Sequence, residues 1–223
     1  MVLFKISGER NSGTTFLCDI LRANKFPVYD HKITGKTVRH WKHGVPIGDY
    51  KKLNERVVDL FIFRNLDDWL LSMFNNPYEL QKARWNNDFK LFLTVKQSSC
   101  NYWKDSNNVS INADDNDKTI FEIREYKFKN ILEYKNKHED VILINLSFIQ
   151  NDEKLTKFLD FLSEKYMPNL NSNMYTLSIK HTKDKSDVKN RKYVMNIDDS
   201  ISQIIISNKN VAMENFINQL TFG

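Results

Sequence analysis

Only two cysteines, Cys18 and Cys100, occur in 223 residues. Two thiols make no disulfide framework, which points to a reducing compartment. Cys18 falls in a helical apolar pattern and reads as a small core residue. No apolar run reaches the roughly 18 residues that a membrane-spanning helix needs. The chain passes from Met1 straight into an apolar stretch, so neither a signal peptide nor a membrane anchor is expected, and the expected setting is cytoplasmic. The five histidines do not stand at zinc spacing with cysteines or carboxylates. His40 and His43 are three apart but have no partner ligands nearby, and no metal is expected. No internal repeat is visible.

Net charge is a mild +5, and it is uneven. Residues 180–192 hold six cations (Lys180, Lys183, Lys185, Lys189, Arg191, Lys192) against Asp184 and Asp187. A basic segment this local fits an anionic ligand better than a nucleic-acid surface. A solvated charged loop is the plain alternative. With 41% hydrophobic residues the chain can bury a full core, and 223 residues suit one domain.

The stretch around which the chain is organised is residues 2–24. Residues 2–6 are an apolar run that reads as a buried strand. Gly8 to Gly13 reads as a turn, and from Thr14 the residues Phe16, Leu17, Ile20 and Leu21 recur at helical spacing. Strand, glycine loop and helix in that order form a phosphate cradle: main-chain N–H groups converge, and the helix dipole adds about half a positive charge. Gly8 and Gly13 permit a tight turn and close approach of an anion. The hydroxyls of Ser12, Thr14 and Thr15 add donors. The glycine spacing matches a Walker A loop, G-x-x-x-x-G-K-[ST], but Thr14 stands at the lysine position. The missing lysine argues for a ligand other than ATP or GTP. An ordinary tight turn is the plain alternative.

Residues 57–63 are the strongest strand in the sequence, near-continuously apolar as a central parallel strand should be. They end in Arg64-Asn65-Leu66-Asp67-Asp68-Trp69-Leu70-Leu71-Ser72. Arg64 is thus expected at the carboxyl end of a strand, where α/β proteins bind ligands. Asn65 or Asp67 can cap a helix that starts near Asp68. An Arg fork and the Ser72 hydroxyl can then grip one phosphate together.

These two stretches resemble the sulfotransferase family. Arg10-Asn11-Ser12-Gly13-Thr14-Thr15-Phe16-Leu17 is similar to its 5′-phosphosulfate loop: a basic residue, Ser-Gly-Thr-Thr, an aromatic residue and Leu. Arg64 and Ser72, eight positions apart, are similar to its 3′-phosphate motif, Arg-Asn-Pro-x-Asp followed by Ser. Asn11 departs from the family's Lys or Arg, and Leu66 from its Pro. The resemblance spans residues 1–75 and, more loosely, 120–166, where a late strand precedes a helix ending in Phe161-Leu162.

The resemblance implies a co-substrate, the sulfuryl donor PAPS, which leaves as adenosine 3′,5′-bisphosphate. It implies that Arg10, Asn11, Ser12, Gly13, Thr14 and Thr15 hold the 5′ end, and Arg64 and Ser72 the 3′-phosphate. Arg10 then replaces the cation missing at Asn11. Arg191 and Lys192 are candidates for a late loop that closes over the 3′-phosphate, although the family's glycine-rich pattern is missing there. In Trp41-Lys42-His43-Gly44, His43 lies 21 residues before Arg64, where the family carries a catalytic His. His43 is the expected general base and Lys42 a candidate beside the transferring sulfonate; His40 is the rival base, and neither is a third option. Sulfuryl transfer is an in-line displacement that demands positioning, charge stabilisation and a base. The implied acceptor is a small-molecule or carbohydrate hydroxyl or amine, with no nucleic acid and no membrane involved. The alternatives are a P-loop kinase, disfavoured by Arg64 at the strand end and by Asp59 lying too early in the strand, or an inactive nucleotide-binding module.

The expected architecture is a single α/β domain over residues 1–223: a parallel sheet of four or five strands flanked by helices, with a P-loop-like phosphate-binding loop. Further strands are expected at 26–29 (short or merely extended) and 141–146. Helices are expected around 48–54, within 77–103, at 120–138 and at 152–166, with a last helix at 200–220 unless Ile204-Ile205-Ile206 makes it a strand. Residues 104–118 read as a mobile loop or acceptor-site lid.

Overall fold

Residues 57–63 carry a single charge, Asp59, and in the computed structural model they lie within the middle strand of a parallel sheet. The structure describes residues 1–9, 11–29, 55–76, 85–96, 118–170, 175–177 and 197–222. Among these, β1 (Val2–Gly8), β2 (Arg56–Phe63) and β3 (Val141–Asn145) form a sheet of order β1-β2-β3. Both ladders are parallel, with Gly8 opposite Ile62 and Phe63 opposite Asn145, so all three strands end at one edge. The described sheet has three strands where four or five are expected; Val28 adds one isolated parallel bridge to Phe4 on the far side of β1.

The helices are α1 (Thr14–Ala23), α2 (Leu66–Asn75), α3 (Phe89–Thr94), α4 (Ile120–Lys137), α5 (Leu146–Ile149), α6 (Asp152–Tyr166), α7 (Asp199–Asn208) and α8 (Val211–Gln219). Strand side chains alternate between two faces. Val58, Leu60 and Ile62 point to one face, with Phe4, Ile6 and Ile144, and pack on Leu17, Ile20 and Leu21 of α1 and Phe158, Leu159 and Leu162 of α6. Phe61, Phe63 and Leu143 point to the other and meet Phe128 and Ile131 of α4 and Met213 and Ile217 of α8. Helices therefore cover both faces, which is why the strands read as near-continuous apolar runs. A satellite cluster joins Trp69 and Leu70 of α2, Phe92 of α3, Ile123 of α4 and Ile205 of α7.

Local sequence sets the boundaries. α4 opens on a capping box: the Glu122 amide donates to the Thr119 hydroxyl, and the Thr119 amide donates to the Glu122 carboxylate at 2.6 Å. Asn151 caps α6 through the Lys154 amide at 3.0 Å. The single helix expected at 200–220 is two. Ile201 and Ile205 are buried at helical spacing, which favours helix over strand. Asn210 then caps a fresh start by accepting from the Met213 amide at 3.1 Å. Of 77–103, the described helix is Phe89–Thr94, capped by Asp88. The helix expected at 48–54 lies outside the described residues, as does all of the 104–118 loop except Lys118. No described helix is long and apolar enough to cross a membrane.

Candidate functional site at the carboxyl edge of the sheet

The loop after β1 is built by its own polar groups. Ser12 is fully buried, and its hydroxyl donates to the Glu9 carbonyl at 2.6 Å, while its amide reaches the same oxygen at 3.3 Å. Asn11 has φ 59° and Gly13 φ 93°, two left-handed residues that reverse the chain before α1. Asn is among the few residues with a side chain that adopt this conformation readily. At Gly13 a Cβ would lie 2.5 Å from a methyl carbon of Leu146, the first residue of α5. At Gly8 it would run into the Ile62 carbonyl of β2. Both glycines are therefore dictated by packing at the sheet edge. α1 starts without a side-chain cap and without an acidic residue in its first turn. Its first amides thus keep the partial positive charge that an anion can use.

The second motif meets this loop. Arg64 follows β2 directly and is half-buried, and its Nη1 donates to the Asn11 carbonyl at 3.4 Å. The Asn11 side chain crosses to α2: its Nδ2 donates to the Ser72 and Asn76 carbonyls, each at 3.1 Å, and touches the Met73 sulfur at 3.5 Å. Asn11 thereby caps the carboxyl end of α2. α2 begins at Leu66 rather than near Asp68, and its N-cap is Asn65. The Asn65 side chain makes no cap bond; its Oδ1 accepts from Asn145 Nδ2 at 2.8 Å. Asn145 also donates to the Ile217 carbonyl at 2.9 Å and accepts from the Ser147 amide and hydroxyl, so the ends of β2 and β3 are laced to α8.

Beneath the loop lies a buried ionic cluster. Arg124 of α4 is 1% exposed. It pairs with Glu9 of the loop at 2.6 Å and with both carboxylate oxygens of Glu214 of α8 at 2.8 and 2.9 Å. Its Nη2 also donates to the Arg64 carbonyl at 2.7 Å. The Trp69 ring of α2 lies 4.8 Å from the guanidinium carbon. Burial pushes the Glu9 carboxyl up to about 7, with Glu214 acting in the same sense and Arg124 and Lys127 opposing it. A second buried pair, Lys5 with Asp59 at 3.6 Å, sits within the sheet, and the Tyr134 hydroxyl donates to Asp59 at 2.8 Å. Burial holds the Lys5 amine below its usual value, against the pull of Asp59.

The structure thus brings together Asn11, Ser12, Gly13, Thr14, Thr15, Arg64 and Ser72, the described members of the two motifs, at one edge of the sheet. Arg10, His40, Lys42, His43, Arg191 and Lys192 lie outside the described residues. Among the described residues no group of three or more His, Cys, Asp or Glu is arranged to hold a metal ion. Sequence reasoning missed Glu9, Arg124, Glu214 and Asn145. A signal for Arg124 exists: it interrupts the buried stripe of Phe121, Phe128 and Ile131. No protein-family model, curated protein or solved structure matches the chain.

Proposed function

We propose that the chain is a sulfotransferase that moves a sulfuryl group from PAPS to a hydroxyl or amine of a small-molecule or carbohydrate acceptor. The observation that carries this reading is the meeting of the two motifs, with Arg64 Nη1 3.4 Å from the Asn11 carbonyl. Residues 8–13 act as the phosphate-binding loop, and the uncapped start of α1 receives the 5′ end of the donor. Arg64, with Ser72 on the adjoining helix, grips the 3′-phosphate. What the site offers is positioning and positive potential at an edge where charge builds up on the departing bisphosphate. His43, with His40 as its rival, takes the acceptor proton, and Lys42 and Arg10 supply charge near the sulfonate. Arg191 and Lys192 close over the nucleotide.

The test is calorimetry with adenosine 3′,5′-bisphosphate, ATP and GTP, each with and without magnesium. Tighter binding of the bisphosphate without magnesium is the expected result. Preference for ATP with magnesium would replace this reading with a P-loop kinase.

One observation favours a second reading, a nucleotide-binding module without turnover. Asn11 is neutral and its side-chain amide donates to α2 carbonyls, so the residue before Ser12 supplies no cation and commits its donor to α2. Tight bisphosphate binding with no consumption of PAPS would identify that case.

A further inference from the structure

We propose that Arg124 is the positioning residue of this anion site, fixing the loop through Glu9 and the phosphate-gripping arginine through the Arg64 carbonyl. The proposal rests on reading the loop and Arg64 as an anion site, though not on which anion it takes.

An arginine on the buried face of α4, among Phe121, Phe128 and Ile131, is expensive to desolvate. Packing alone would be served by Met or Leu. The planar fork does what those residues cannot: it offers five N–H donors in fixed directions. Nε and Nη2 take Glu214, Nη1 takes Glu9 and Nη2 also takes the Arg64 carbonyl. The Trp69 ring covers the guanidinium, its centroid 4.8 Å from the central carbon. One side chain therefore ties the loop after β1, the end of β2, α2 and α8.

Two of those ties bear on the site. Glu9 is the residue whose carbonyl closes the Ser12 turn, so holding its side chain fixes the start of the loop. The Arg64 carbonyl belongs to the peptide that aims the Arg64 side chain. The Arg124 hydrogen bonds go to the Glu9 and Glu214 carboxylates and the Arg64 carbonyl, so its effect on a ligand passes through Glu9 and Arg64. Glu214 balances the second half of the fork. Lys127, also on α4 and buried, adds positive charge facing Glu9.

The test uses the full chain with Arg124→Met, Arg124→Lys and Glu214→Gln. The first measurement needs no ligand: amide hydrogen exchange of residues 9–16 and 64–72 against β3 and α6. Arg124→Met should speed exchange in the first two segments about ten-fold or more and leave the reference elements protected. The second measurement is the ratio of affinities for adenosine 3′,5′-bisphosphate and adenosine 5′-phosphate. That ratio should fall in Arg124→Met, recover only in part in Arg124→Lys, and fall no further when Arg64→Ala is added. If Arg124→Met does not fold, Glu214→Gln, which keeps the shape and the Glu9 pair, should shift both readouts in the same direction by a smaller factor. Unchanged local exchange in whichever variants fold overturns the proposal, as does an unchanged affinity ratio beside a uniform loss of stability. If the wild-type chain binds neither nucleotide while exchange at 9–16 and 64–72 rises as stated, the sulfotransferase reading falls and the positioning role stands.

Discussion

The Asn11 side chain donates to the Ser72 carbonyl at 3.1 Å, joining the loop after the first strand to the helix after the second across 61 residues of sequence. The same amide reaches the Asn76 carbonyl. The two motifs are thus pinned together by the residue that departs from the family pattern. Asn11→Gly keeps the left-handed backbone and removes only the tether. It should lower stability by about 1–2 kcal/mol, a fall of roughly 2–8 °C in melting temperature for a chain of this size. Unchanged melting would show that the contact contributes nothing.

Arg64→Ala should weaken adenosine 3′,5′-bisphosphate by ~2–4 kcal/mol, the range for losing charge-assisted hydrogen bonds. Adenosine 5′-phosphate should lose almost nothing. Calorimetry with both ligands decides the matter, and equal losses would make Arg64 a structural residue.

Glu9 gives the stability a particular pH dependence. Its folded carboxyl is raised to about 7 by burial, above its ordinary 4.5. Folding therefore favours the protonated form. This contribution is complete below about pH 4.5, shrinks as pH rises and is gone above about pH 7, with an upper size of roughly 3 kcal/mol. Denaturant unfolding at about pH 5 and about pH 8 should show wild type losing stability relative to Glu9→Gln as pH rises. Parallel curves for the two proteins would refute it.

Lys5 and Asp59 form a buried pair with side chains 7% and 3% exposed. Asp59→Ala removes the carboxylate that Lys5 and the Tyr134 hydroxyl share and should cost ~3–5 kcal/mol. The double variant Lys5→Met/Asp59→Leu should recover most of that loss. A double variant as unstable as the single one would mean that the pair contributes net stability.

If the chain is the sulfotransferase proposed above, His43→Ala should reduce sulfuryl transfer by ~10²–10⁴ while bisphosphate affinity holds. A collapse in His40→Ala with normal turnover in His43→Ala moves the base to His40. Normal turnover in both would leave the proposed reaction without an identified base.

The sheet was legible because parallel strands buried on both faces leave long apolar runs: 57–63 was expected and Arg56–Phe63 is found. α6 was legible from Leu155, Phe158, Leu159 and Leu162 at helical spacing, and its expected span matches Asp152–Tyr166. The break at Asn210 was hidden because the isoleucines on its N-terminal side masked a cap inside an apolar stretch. At the site, Gly8 and Gly13 were read as room for an anion, and packing alone already requires them. Asn11 was read as a ligand contact, and its amide holds main-chain carbonyls, which have no sequence signature. The Glu9–Arg124–Glu214 cluster joins residues 115 and 90 positions apart, a pairing that no local period reveals.

That cluster also sets the order in which the protein can mature during synthesis. Arg124 follows Glu9 by 115 residues, and the Glu214 that balances it follows by a further 90. At the usual ribosomal pace, about 5–20 residues per second, Arg124 waits roughly 5–20 s for that carboxylate. Until α8 is made, Arg124 has one carboxylate partner of its two, and the Asn145 amide lacks the Ile217 carbonyl. A chain cut short before α8 should therefore keep its parallel sheet and lose order at this edge, because Arg124 and Asn145 both lose partners on that helix.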